Sequence, residues 1–359
     1  MQTSRTRSGC VRSGILWVIA VIAAACADAS APNHEPPPRD IHVLALETFD
    51  GSGQAVHPDP AETPPSWDGA STQLAVTPYP NGDASKENPS LFSARSFRDW
   101  FIPEGMVNPI AVPASGYLSD PDQVYNPDLN ELWLYYRGVT SENQIFLIRA
   151  GSPTQRSSPL LVASGPNHTI VSPSVVRRGP NDWLMWSVNS GSIGCSSPAT
   201  TVELRRSTDG VTWTDPVITD LGTADPYPWH IDVEWIASRG EFWAVYNVKI
   251  AGSCTTAALH FATSTDGLAW NPASSPVLVR GEIPAFADIV YRAAISYDAA
   301  SQLTTLFYSG ARFEHGGYTW RVATERLALD AFLRRLAAIT PGEGTSVTSS
   351  PPLTDETAP

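Results

Sequence analysis

The chain repeats itself. The heptapeptide S-T-D-G-x-x-W occurs at Ser207–Trp213 and again at Ser264–Trp270, with Asp209 and Asp266 57 residues apart. An Asp-Gly step between strand-like runs predicts a tight turn, because Gly accepts a positive φ and the Asp side chain accepts from nearby backbone N–H groups. Trp213 and Trp270 are placed to pack over those turns, so all four residues read as structural. "SARSFRDW" (93–100) resembles a decayed copy, with Arg95 and Phe97 where the Asp and Gly would stand. A second repeat surrounds the first. Short runs of one shape begin at "VHPDP" (56), "SDPDQVY" (119), "VSPSVV" (171), "WHIDVEW" (229) and "VYRAAISY" (290), spaced 52 to 63 residues apart. A tight turn and an aromatic strand follow most of them, as in "LWLYYRG", "WLMWSVN" and "FWAVYNV", and then a third strand such as "QIFLIRA" or "ALHFATS". Each unit is long enough for one four-stranded blade. Five units predict an all-β, five-bladed β-propeller over residues 41–340, with an irregular first blade built on "QLAVTPY" and "ENPSLFSA". The aromatic strands are apolar on both faces, as stacked blades require. "RLALDAFLRRLAA" (326–338) has near-helical apolar spacing and predicts a short C-terminal helix; 341–359 read as a disordered tail.

At 359 residues the chain can bury a large core. Residues 1–25 carry Arg5, Arg7 and Arg12, no acid, and the apolar run "GILWVIAVIAAA", which describes a secretory signal. The small residues before Cys26 resemble a lipobox and make Cys26 the expected lipidation site, with 26–40 as a Pro-rich tether; the alternative is ordinary cleavage nearby. The expected location is therefore outside the cytoplasm, held to a bacterial envelope membrane by the lipid anchor alone. Without the signal the charge is 20 minus 36, or −16. That excludes nucleic acid and anionic membrane surfaces as natural partners. The expected partner is an oligosaccharide or polysaccharide, and a monomer is expected. Cys195 and Cys254 remain in the body and fall in matching loops of adjacent units. Export favours a disulfide between them; the alternative is two buried thiols.

In a propeller the innermost strand of each blade lines the channel, so the unit starts nominate the site. They contribute His57, Asp59, Asp120, Asp122, Ser172, Ser174, His230, Asp232, Tyr291 and Arg292, with Tyr79 and Trp229 as flanking aromatics. Glu87 and Asn88, fixed by Pro89 at the end of "TPYPNGDASKENPS", join them where that loop folds over the funnel. Such a mixture suits sugar hydroxyls and ring faces. Two carboxylates at the right separation make a glycosidase, one protonating the leaving oxygen and the other activating water or attacking. Glu87 is the expected acid, Asp122 the base and Asp232 an orienting partner. His57, Asp59, Tyr79, Asn88, Asp120, Trp229, His230, Tyr291 and Arg292 are expected to bind substrate. A turn-capping role is the alternative for each Asp at a strand start. His57 and His230 could meet in the channel, but two His do not make a metal site, so no metal and no cofactor are expected. Serine or cysteine triads, phosphate loops and dinucleotide fingerprints have no counterpart in the chain.

The S-T-D-G-x-x-W turns resemble the Asp box of sialidase-like propellers. Five units with acidic strand starts resemble the five-bladed glycoside hydrolases of the arabinanase, xylosidase, invertase and levansucrase group. "HP…TPYPNGD…ENPS" also looks like a set of secreted bacterial propeller proteins. The glycosidase resemblance implies an Asp base in blade one, an Asp stabiliser in blade two and a Glu acid in blade three. Asp59 and Asp122 match the first two loosely, while "SPSVV" offers only Ser172 and Ser174 in the third. The function implied is a glycoside hydrolase-like surface protein. The alternatives are a non-catalytic glycan-binding lipoprotein and a sialidase-like or protein-binding propeller.

Overall fold

Five antiparallel sheets follow one another along the chain, and each inner strand packs against the inner strands of its neighbours, the first closing on the last. The computed structural model describes residues 39–222, 228–249, 254 and 256–337. The expected signal, Cys26, most of the tether and the tail lie outside the described residues. The architecture is the five-bladed propeller that the repeat spacing predicted.

The inner strands are Ala55–Glu62, Tyr117–Asn126, Val171–Gly179, Pro228–Ile236 and Ile289–Asp298. Blade five takes its outermost strand from the other end of the chain: Ile41–Val43 pairs with Gly317–Ala328, Ile41 opposite Glu325. This closes the ring and leaves no unpaired seam. Arg39, just before that strand, bonds Glu325 (2.6 Å) and Glu282 (2.7 Å), and Glu325 also receives Arg335 from the terminal helix (2.7 Å). That helix spans Leu329–Ala337; the start of the expected segment, 326–328, instead completes the last strand. Its Phe332 packs on Trp243 and Phe261. Among the described residues no helix is long and apolar enough to cross a membrane.

The two S-T-D-G-x-x-W turns join blades. Asp209 Oδ1 accepts the N–H groups of Val211 and Thr212 at 2.8 and 2.7 Å, and Asp266 Oδ1 those of Leu268 and Ala269 at 2.8 and 2.9 Å. Each turn is pressed against the preceding blade. Gly210 O accepts from Tyr135, Gly267 O accepts from Trp186, and a Cβ on Gly267 would stand 2.6 Å from the Trp186 ring. Both glycines have φ above +70° (72° and 75°), so a side chain there would be strained as well as crowded. Trp213 packs on Tyr135 and Trp270 on Trp186. A disulfide joins Cys195 and Cys254, Cα atoms 4.8 Å apart, tying a loop of blade three to one of blade four.

Candidate active site on the propeller axis

Every inner strand breaks its ladder at the same place. The register shifts between Val56 and Asp59, Ser119 and Asp122, Val171 and Ser174, Pro228 and Ile231, and Val290 and Ala293. The break is a β-bulge, which re-aims side chains. In the first three blades the bulged residue has a positive φ, 55° at His57, 48° at Asp120 and 51° at Ser172, and a proline follows each. Proline has no N–H to give a ladder and is tolerated at a bulge. A non-glycine residue held in this region costs on the order of 1–3 kcal/mol, and such costs concentrate at functional sites.

Residues two apart on a strand share a face, so each inner strand sends two side chains to the axis. The upper ring is His57, Asp120, Ser172, His230 and Arg292; the lower ring is Asp59, Asp122, Ser174, Asp232 and Ala294. All ten are buried. In the lower ring the oxygens hold blades together. Asp59 accepts from Gln123 N (2.6 Å), Asp122 from Val175 N (2.8 Å), Ser174 from Val233 N (2.8 Å) and Asp232 from Ile295 N (3.1 Å). Each acceptor thus satisfies a backbone donor of the next blade. Burial first, and then like charge among the three, pushes the Asp59 and Asp122 carboxyls well above the usual range; burial raises Asp232 to about 6.

In the upper ring only Ser172 bonds the backbone of the next blade, through Ile231 O at 3.1 Å. Asp120 Oδ1 lies 3.1 Å from His230 Nδ1 and 3.4 Å from His57 Nε2. All three atoms are buried and none makes a well-aligned hydrogen bond, although His230 Nδ1 and Asp120 Oδ1 are close enough to pair with each other. The rest of each group is fixed from behind. His57 Nδ1 meets Thr77 Oγ1 at 2.8 Å; Asp120 Oδ2 accepts from Arg137 Nη1 at 2.9 Å and from Ser119; the His230 backbone N–H bonds Asn247 Oδ1 at 2.6 Å. Burial drives both imidazoles below their ordinary value, against the pull of Asp120. Burial alone would raise Asp120, but the imidazoles and Arg137 outweigh it and hold the carboxyl well below the carboxylate range. Two neutral imidazoles and one ionised carboxylate are the protonation states a metal ligand set needs. For His57 and Asp120 these backing bonds are of the kind that orient metal ligands; the His230 ring is placed by packing against Tyr291 and Trp229, its Nε2 having no partner. Three buried atoms converging on one point fit a divalent ion. The two histidines taken from sequence therefore gain a third ligand, Asp120.

Glu87 stands beside this ring. It is buried, its backbone oxygen accepts from Leu118 N at 2.9 Å, and its charged neighbours are Asp120 and Arg137. Burial, then Asp120, pushes its carboxyl well above the usual range, with Arg137 opposing. The carboxylate it senses is thus Asp120; Asp122 and Asp232 sit one ring lower with Asp59, their ligand oxygens within 4.8 Å of one another. Asn88 is buried next to Glu87 with Oδ1 unpartnered. The aromatic candidates form one wall. Trp229 Nε1 donates to Tyr291 OH (3.2 Å), Tyr291 packs on His230 (4.4 Å) and Trp320 (5.3 Å), and Trp320 packs on Tyr79 (5.0 Å). Arg292 lies between the two rings. Two further residues of this neighbourhood, Trp320 and Asn247, carried no role in the sequence reading, and Arg137 entered it only as a candidate member of a sialidase-like arginine cluster. Its place beside Asp120 was legible only through its register opposite Ser119.

No known family profile matches the chain. It is 26% identical over 341 residues to the A type blood N-acetyl-alpha-D-galactosamine deacetylase of Flavonifractor plautii, a match covering 82% of this chain and 44% of that protein. The chain thus spans less than half the length of that curated relative. The crystal structure of an N-acetylgalactosamine deacetylase from F. plautii in complex with blood group B trisaccharide superposes with a TM-score of 0.73 at 21% identity, covering 83% of this chain and 97% of that one. A thermostable family-43 glycoside hydrolase gives 0.55 at 12% identity over 76% and 89%. The catalytic domain of the Coprinopsis cinerea GH62 alpha-L-arabinofuranosidase gives 0.56 at 12% over 79% and 94%. The fold is glycoside hydrolase-like, and it carries on its axis one cluster of two histidines and an aspartate and one cluster of three carboxylates.

Proposed function

We propose that this protein hydrolyses the N-acyl group of an amino sugar within an oligosaccharide, with the upper ring as its metal centre and Glu87 as its acid–base group. The observation that carries this reading is the convergence of His57 Nε2, Asp120 Oδ1 and His230 Nδ1, buried and with no well-aligned partner outside the group. A divalent ion held by those three atoms would supply Lewis-acid polarisation of the amide carbonyl. Glu87 takes a proton from the attacking water as the new C–O bond forms. It returns that proton to the nitrogen as the C–N bond breaks, leaving an amine and a carboxylic acid, which exchange the remaining proton to become an ammonium and a carboxylate. Burial and Asp120 raise the Glu87 carboxyl toward neutrality, where such a shuttle works best. Arg137 holds Asp120 ionised and fixes which oxygen faces the axis. The Trp229–Tyr291–Trp320 wall offers ring faces beside the site. The sequence likeness to a deacetylase supports the same reading.

Glycosidic cleavage by Asp122 and Asp232 is the less favoured use of this axis. Both carboxylates are engaged by backbone donors, and blade three supplies serines where the glycosidase scheme needs its acid. The test is product analysis on the purified chain with N-acetylgalactosamine-terminated oligosaccharides. Acetate release that EDTA abolishes and a divalent ion restores is expected; new reducing ends without acetate would replace this reading with the glycosidase one. Export and anchoring at Cys26 form part of the proposal and rest on the signal-like segment and its small residues. In a bacterial host, Cys26→Ala should move the protein from the membrane to the soluble fraction.

A further inference from the structure

The lower ring has the form of an oxygen cage. Asp59, Asp122 and Asp232 use one carboxylate oxygen each on a backbone N–H, and ligand oxygens from all three lie within 4.8 Å of one another on the axis. A hard divalent cation takes such a set of oxygens. Ser174 spends its hydroxyl on Val233 N and O, and Ala294 contributes nothing. Ionising all three buried carboxyls without a cation would be costly, and Asp232 relieves part of that by a side-chain hydrogen bond with Asp59. The cation present is Arg292, which comes down from the upper ring of blade five. Its Nη2 lies 3.9 Å from Asp59 Oδ1 and 3.8 Å from Asp122 Oδ1, and its Nη1 3.9 Å from Asp120 Oδ1. The side chain is completely buried. Yet its hydrogen bonding is poor: Nη2 reaches Pro173 O at 3.5 Å, and Nε and Nη1 have no partner. A guanidinium chosen for fork-like pairing would sit about 2.7–2.9 Å from its carboxylates. Here it acts as a charge set between the rings.

We propose that Arg292 is an internal cation that fills the Asp59–Asp122–Asp232 cage and closes it to divalent ions, so that the axis accepts an external ion only in the upper ring. The upper ion rests on the function proposed above; the lower cage does not. The test is metal content per chain, measured by mass spectrometry after equilibration with Ca²⁺ or Mn²⁺ and removal of free ion, for wild type, R292M and R292K. R292M should take up one more ion than wild type, and R292K the same number as wild type. The added ion should vanish in R292M/D232N and persist in R292M/H57A/H230A. The thermal midpoint of R292M should rise with ion concentration. Were the upper site not a metal centre, wild type would bind none and R292M one, the increment being preserved. Two ions in wild type, no increment in R292M, or an R292M chain that stays unfolded with either ion present would overturn the proposal.

Discussion

The two rings on the axis are made by the same five strands, two residues apart, and differ in where their polar atoms point. In the lower ring four of the five side chains hold a backbone N–H of the next blade. In the upper ring Ser172 still bonds the next blade through Ile231, but His57 Nε2, Asp120 Oδ1 and His230 Nδ1 hold no backbone group. The bulge lies between the two layers. Below it the ladder continues and side chains serve the fold. At it the backbone turns, and side chains that would have been ladder fillers become available for chemistry. Burial alone does not separate the two sets, since both are buried; the lone pairs not spent on backbone do.

The widest separation between the rings should appear in turnover. Asp120→Asn should lose both bound ion and acetate release. Glu87→Gln should keep the ion and lose roughly 10²–10⁴-fold in kcat, the range of a general acid–base group. Equal loss of ion binding in both variants would place Glu87 among the ligands and break the distinction drawn between them. The wild-type rate should also fall on acidification at a pH above the ordinary glutamate range, because the Glu87 carboxyl is raised and its base form is lost first.

The next effect is on stability and has a sign. Asp232 titrates at about 6 in the folded protein, above its unfolded value. The folded state therefore holds its proton longer, and stability falls as pH rises from about 4 to about 6, by on the order of 3 kcal/mol. Asp232→Asn keeps an oxygen for Ile295 N and should flatten that slope in urea titrations at stepped pH. An unchanged slope would show that Asp232 carries no such penalty. Glu325 gives the opposite case. Burial would raise it, but Arg335 and Arg39 bring it down to about 2. Its contribution is full above about pH 4.5 and is lost as pH falls toward 2, again on the order of 3 kcal/mol. Glu325→Gln should destabilise at pH 7 and hardly at all at pH 2. The same chain thus holds buried carboxylates with a surplus of negative charge on its axis and one with a surplus of cations at its rim. The smallest effect belongs to Ser174→Ala, which leaves Val233 N unserved and should cost about 1–3 kcal/mol without changing ion content; a change in ion content would join Ser174 to the upper site.

Much of this was legible in the chain. The 52–63-residue spacing of the strand starts sets the number of blades, and the i, i+2 rule places both residues of "HPD", "DPD" and "HID" on the axis. The matched positions of Cys195 and Cys254 anticipated the disulfide. The loop "TPYPNGDASKENPS" ends in a buried Glu87 whose carboxylate neighbour is Asp120, where the sequence reading had looked to Asp122 or Asp232. Arg137 and Arg292 were not assignable to Asp120 in sequence, because one lies 17 residues away across a strand pair and the other three blades further along the chain. Periodicity is a local property, and it determined blade count, blade order and which side chains face inward. Which ring a carboxylate joins, which of its oxygens is spent on backbone and which cation stands beside it are distances between strands far apart in the chain. Only the closing of blade five by the N-terminal strand and the bulge on each inner strand set those distances, and with them the difference between a structural aspartate and a free one.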